Sequence, residues 1–140
     1  TASSKIGELT GRFGLKTKST LLIDDVNSKD FGAIVYIGGS GATIFFDNFN
    51  VLKLANDFFK QLKPVASICI AGVILANAGI LKNKKATVFI DGKESLIKCG
   101  AIYTAAPLEI DENIITANGS DVAEDFGKAI LRVFNANHSL

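Results

Sequence analysis

Val65-Ala66-Ser67-Ile68-Cys69-Ile70-Ala71-Gly72-Val73-Ile74-Leu75-Ala76-Asn77-Ala78-Gly79 holds no charged residue, and Lys63-Pro64 stands directly before it. As a membrane helix the uncharged stretch, continued to Leu81, would reach only about 25 Å, short of the ~30 Å of a hydrocarbon core. Gly72, Gly79, Ser67 and Asn77 weaken a span further. A buried strand over 65–70 running into a short apolar helix over 71–78, closed by Gly79, accounts for the stretch better.

The same joint recurs on either side. Upstream, Ala33-Ile34-Val35-Tyr36-Ile37 is a β-branched and aromatic run that stops at Gly38-Gly39 and reads as a strand. A helix follows, with Val51, Leu54, Ala55, Phe58 and Leu62 on one face. Downstream, Lys82 to Lys85 make a turn, Ala86 to Ile90 a third strand, and a short helix runs to Lys98. Glu109-Ile110 and Ile114 to Thr116 flank Asp111-Glu112-Asn113 as a hairpin. The last helix starts near Ser120 or Asp121, and Asp121 with Glu124 has the form of a capping box. In the first thirty residues Gly7, Gly11 and Gly14 break up short extended pieces, expected to form a small hairpin. Strands alternating with helices imply an α/β fold with a mostly parallel sheet covered on both faces. With no repeat or linker, a single domain over residues 1–140 is expected.

Bulk composition agrees. The chain has 140 residues, 48% of them hydrophobic and 21% charged, with a net charge of +1. That is a globular balance with no polybasic surface for nucleic acid or membrane. Two cysteines are too few for a disulfide framework and point to a reducing cytoplasm. No basic-then-apolar leader opens the chain, so a secretory signal is not expected. There is no methionine, so Thr1 is not expected to be the translated start.

Sites in open parallel sheets form at the carboxyl ends of strands. Two segments converge there. The first is the turn at Cys69, where amides at a helix start favour a thiolate, in the geometry of a nucleophile elbow with a thiol in place of serine. A buried, inert cysteine fits the turn equally well. The second is Gly38-Gly39-Ser40-Gly41-Ala42, whose backbone amides could face an oxyanion. It fits neither G-x-G-x-x-G nor a P-loop, so no nucleotide cofactor is expected. His138, the one histidine, stands near the end of the chain, where tails fray, and is expected to lie apart from Cys69. With one histidine and two distant cysteines no metal site is expected. Cys99, between Lys98 and Gly100, reads as a packing or surface residue.

Asp30-Phe31-Gly32-Ala33-Ile34-Val35-Tyr36-Ile37-Gly38-Gly39, then Lys63 through Cys69, resembles the ThiJ/PfpI superfamily, the DJ-1-like proteins. The likeness continues through Leu75-Ala76-Asn77-Ala78-Gly79-Ile80-Leu81, Lys85-Ala86-Thr87-Val88, Ile114-Ile115-Thr116-Ala117-Asn118-Gly119 and Glu124-Asp125-Phe126-Gly127. It implies a flavodoxin-like three-layer sandwich, usually a homodimer, with Cys69 as nucleophile and the backbone of Gly38, Gly39 and Ile70 around an oxyanion. The family includes cysteine peptidases, glyoxalases acting on methylglyoxal, proposed protein deglycases, chaperones and oxidative-stress sensors.

Three departures narrow that range. Where peptidase-type members have histidine after the cysteine, this chain has Ile70. No histidine occurs near Gly100 to Thr104, where other members place one, and the proline often found three residues after the cysteine is Gly72. Without a histidine base the Cys–His route to amide hydrolysis loses its support. The family also begins with a strand and a helix that these residues lack, the helix donating a glutamate that touches the cysteine. Losing a central strand would leave backbone groups unpaired at ~1–3 kcal/mol each, so a longer natural protein is expected. Three readings remain: a thiol enzyme acting on a small carbonyl substrate such as an α-oxoaldehyde, a redox-sensing or chaperone-type stress protein whose Cys69 oxidises reversibly without turnover, or a structural homologue with no activity.

Overall fold

The computed structural model describes residues 1–11 and 13–138, and the side chain of His138 lies outside the described part. In chain order the elements are β1 (Ala2–Ser3), β2 (Gly7–Thr10), β3 (Lys16–Ser19), β4 (Leu21–Leu22), β5 (Ile34–Ile37), α1 (Phe49–Lys60), β6 (Val65–Ile68) and α2 (Gly72–Asn77). They continue with β7 (Lys85–Ala86), α3 (Lys93–Lys98), β8 (Ile102–Tyr103), β9 (Leu108–Asp111), β10 (Ile114–Ala117) and α4 (Ala123–His138).

β6 is buried at every residue because it runs inside a four-stranded sheet of order β5-β6-β10-β9. β5 and β10 lie parallel to it in matched register: Ile34 and Ile114 both pair with Val65, and Ile37 and Ala117 both pair with Ile68. β9 is antiparallel to β10, closing the hairpin that the sequence signals. Successive β6 residues point to opposite faces, and each face has its own cover. Val65 and Ile114 pack with Leu54, Ala55 and Phe58 of α1 and with Leu75 and Ala76 of α2. Ala66, Ile68, Ile115 and Ala117 pack with Phe126 and Ala129 of α4. This is the flavodoxin-like α/β sandwich, with a mostly parallel sheet, that the sequence leads one to expect.

α1 buries Val51, Leu54, Ala55 and Phe58 together as the apolar spacing predicts, but Leu62, expected on the same face, lies beyond its end at φ 58° and is 72% exposed. Asn48 starts it, its side-chain oxygen accepting from the Val51 amide at 3.1 Å. Asn48→Ala orphans that amide and is expected to lower stability by about 1 kcal/mol, read as a shifted urea midpoint. β2 and β3 make the hairpin expected near the start, Gly7 opposite Ser19 and Thr10 opposite Lys16. Among the described residues no helix is long and apolar enough to cross a membrane.

Two further local expectations need correction. The third strand, expected over Ala86–Ile90, is regular only at Lys85–Ala86, which pairs with β8 outside the main sheet. From Thr87 onward the backbone bonds elsewhere: the Thr87 amide donates to Thr116 Oγ1 at 3.0 Å and the Phe89 amide to the Cys69 carbonyl at 3.3 Å. A 3₁₀ turn over Ile90–Gly92 follows. The capping box also does not form. A 3₁₀ turn over Ser120–Val122 precedes α4, and the Glu124 carboxylate accepts from Lys128 Nζ one turn on, at 2.6 Å.

Candidate active site

Because β5 and β6 are parallel neighbours with Ile37 level with Ile68, the residues that follow them, Gly38 and Cys69, emerge side by side. Ile68 is still extended, at φ −125°, ψ 146°. Cys69 then takes φ 61°, a left-handed conformation that costs a non-glycine residue roughly 1–2 kcal/mol. It opens a 3₁₀ turn over Cys69–Ala71 that passes directly into α2. Reversing direction this sharply leaves Cys69 half-buried, packed on one side against the cluster under α4 and open on the other.

Two chain segments hold the turn. A Cβ on Gly38 would stand 2.7 Å from the Ile68 carbonyl oxygen, 2.9 Å from Cys69 Cβ and 3.0 Å from the Ile70 amide nitrogen. Only glycine allows β5 to approach this closely. Gly39 takes φ 119° and sends the chain into the 3₁₀ helix over Ser40–Phe45. From the other side Phe89 bonds the Cys69 carbonyl, and a Cβ on Gly92 would lie 3.3 Å from Ile70 Cδ1. The structure thus brings Gly38, Gly39, Cys69 and Ile70 together at the carboxyl ends of β5 and β6.

Other groups stand apart. Tyr36 is largely buried and its hydroxyl donates to the Val51 carbonyl at 2.9 Å; burial pushes its pKa well up, so it remains a neutral donor and not a base. Cys99 is half-buried at the end of α3, its amide bonded to the Ser95 carbonyl at 3.1 Å and its side chain against the α1/α2 cluster. The expectation for the His138 side chain falls outside the described residues. Among the described residues no group of three His, Cys, Asp or Glu side chains is placed to hold a metal. Sequence reading missed Thr116 and Thr87, which tie the segment after β7 to β10, and Phe89, which fastens it to the turn. The signal available was polar Thr87 and Thr116 inside otherwise apolar runs.

The sequence pattern of the DJ-1/PfpI family matches residues 1–133. The chain belongs to the DJ-1/PfpI family. An uncharacterized protein of Methanocaldococcus jannaschii is 40% identical over 139 residues, 97% of this chain and 68% of that protein. A protein of Pyrococcus horikoshii named a deglycase is 34% identical over 116 residues, 83% of this chain and 70% of the relative. The solved structure of a ThiJ/PfpI domain protein from Brachyspira murdochii superposes with a TM-score of 0.93 at 32% identity, covering 96% of this chain and 78% of that one.

Proposed function

We propose that this DJ-1/PfpI chain acts on small α-oxoaldehydes, with Cys69 as the nucleophile and the backbone of Gly38, Gly39 and Ile70 around the developing oxyanion. The observation that carries the reading is Cys69 itself: a non-glycine residue held at φ 61° on a turn braced from two sides, its side chain partly open. Strain of this kind persists where the surroundings enforce it, and it gathers at reactive positions. The deglycase name of the Pyrococcus horikoshii relative favours a carbonyl substrate.

In the reaction the sulfur adds to the aldehyde carbon to give a hemithioacetal. The hydrogen on that carbon leaves as a proton and is returned to the neighbouring carbon through an enediol. Water then releases the 2-hydroxy acid and frees the thiol. The step is an internal redox exchange, so no outside oxidant is needed. The glutamate of the family pattern is the proton carrier in this scheme. An aldehyde is electrophilic enough to react without a histidine base, whereas an amide is not, and peptidase action finds no base beside Ile70.

The test is lactate formation from methylglyoxal by the purified natural protein, before and after alkylation with iodoacetamide. The expected result is turnover that disappears as Cys69 is alkylated. Turnover that is absent from the start, or that outlasts complete alkylation of Cys69, overturns the reading. Loss of lactate formation with reversible oxidation of Cys69 intact would instead favour the redox-sensing alternative.

A further inference from the structure

β10 flanks β6 on the side away from β5, and Ala117 is the register partner of Ile68. The next residue, Asn118, therefore leaves the sheet beside Cys69, as Gly38 does on the other side. Asn118 and Gly119 form the one asparagine–glycine pair in the chain. Both are half-buried, and neither belongs to a helix or strand.

Asparagine followed by glycine is a chemically weak joint. The glycine nitrogen can bond to the asparagine side-chain carbon and close a cyclic imide, and with no Cβ on the glycine nothing crowds the approach. Hydrogen bonds to the two groups that must meet protect such a pair in a folded chain. Among the described residues neither group has one here: the Asn118 carboxamide is unbonded, and the Gly119 amide donates to no acceptor. Only the near side of the joint is tied, the Asn118 amide donating to the Pro107 carbonyl at 3.0 Å. A Cβ built on Gly119 would meet nothing within 4 Å, so the space for a ring is open.

Other asparagines show the contrast. Asn56, Asn77 and Asn113 each donate the side-chain amide to a backbone carbonyl, at 2.8, 2.9 and 2.7 Å. Asn83, like Asn118, has no side-chain partner among the described residues, but the amide after it is held, Lys84 donating to the Leu81 carbonyl at 3.0 Å.

We propose that Asn118–Gly119 is a self-modifying site that converts with age to aspartate or isoaspartate and so sets a negative charge beside the Cys69 turn. The Gly119 nitrogen gives its proton to hydroxide and bonds to Asn118 Cγ; the Cγ–Nδ2 bond breaks and ammonia leaves. Water then opens the imide at either carbonyl. One opening gives aspartate, and the other gives isoaspartate, with the main chain rerouted through the side chain. Both leave a carboxylate; water enters, ammonia leaves and nothing is oxidised. Cα atoms level on neighbouring strands stand about 4.8 Å apart, inside the ~8–10 Å that a charge reaches at ordinary salt. A carboxylate at that range opposes ionisation of a thiol, so the reactions of Cys69 slow as the site converts. The effect needs no contact between the two side chains and no particular substrate, and the reading of Cys69 as an enzyme nucleophile can fail without it.

Ageing the purified full protein in mildly alkaline buffer, followed by peptide mapping, tests the chemistry. The peptide spanning 118–119 is expected to gain the mass that exchanges an amide for an acid and to split into aspartate and isoaspartate forms. The gain is expected to be lost in Asn118→Gln and in Gly119→Ala, whose extended backbone at φ 178° accepts any residue. The peptide holding Asn83 is expected to stay unchanged in the same digest. A 118–119 peptide that stays intact, or an Asn83 peptide that converts as fast, overturns the site. Alkylation of Cys69 by iodoacetamide, read on its own peptide, tests the consequence. Asn118→Asp is expected to react more slowly than the fresh parent and Asn118→Gln, with the difference shrinking in high salt. Equal rates for all three overturn the effect on Cys69.

Discussion

Cys69→Ser is expected to reduce lactate formation from methylglyoxal to the uncatalysed rate while leaving the fold in place. A serine hydroxyl gives up its proton far less readily than a thiol and needs an adjacent base to become a nucleophile. No histidine follows Cys69, and the Tyr36 hydroxyl, which stands apart from it, already donates to the Val51 carbonyl. Stability is expected to change by no more than about 1 kcal/mol, because the half-open position lets the hydroxyl bond to solvent. The left-handed backbone is carried equally by either residue. Parallel assays of turnover and urea unfolding separate the two effects. A Cys69→Ser protein that still forms lactate at the parent rate removes Cys69 from the reaction altogether.

Gly38→Ala is expected to lower both stability and turnover. The atoms an added methyl would meet are the Ile68 carbonyl oxygen, Cys69 Cβ and the Ile70 amide nitrogen, at 2.7, 2.9 and 3.0 Å. These belong to the backbone or its first side-chain carbon, so none can swing aside, and β5 must part from the turn. Overpacking of this kind typically costs about 1–3 kcal/mol. A shift of about 1 Å in a reacting group can cost on the order of 10²-fold in rate, and that is the loss expected in kcat/KM. Gly41→Ala is the control: an added Cβ there finds nothing within 4 Å, and both stability and turnover are expected to match the parent. Equal behaviour of the two variants would mean that the approach of β5 does not set the turn.

The elements that were legible in the sequence are those whose signal is local. The alternation of apolar faces in Val51 to Phe58 marks α1, and the uncharged run from Val65 to Gly79 marks a strand entering a helix. The hairpin at Asp111 to Asn113 follows from turn residues between two short apolar runs. Where a local signal misled, a partner distant in sequence prevailed. Val88 and Phe89 have strand-like composition, yet the Thr87 amide is taken by a threonine 29 residues away and the Phe89 amide by the carbonyl of Cys69. Asp121 and Glu124 have capping-box spacing, yet a lysine one turn on takes the Glu124 carboxylate.

Taken alone, the sequence determined the α/β class, the place of Cys69 at a strand-to-helix turn and the glycine pair after the preceding strand, because periodicity and turn chemistry act over a few residues. Only the tertiary structure decided that β10 lies beside β6, that Gly38 presses against Cys69, and that the Thr87 amide bonds to Thr116 Oγ1. Strand order and register depend on how the apolar faces of the whole sheet can be covered at once, and no stretch of a few residues contains that condition.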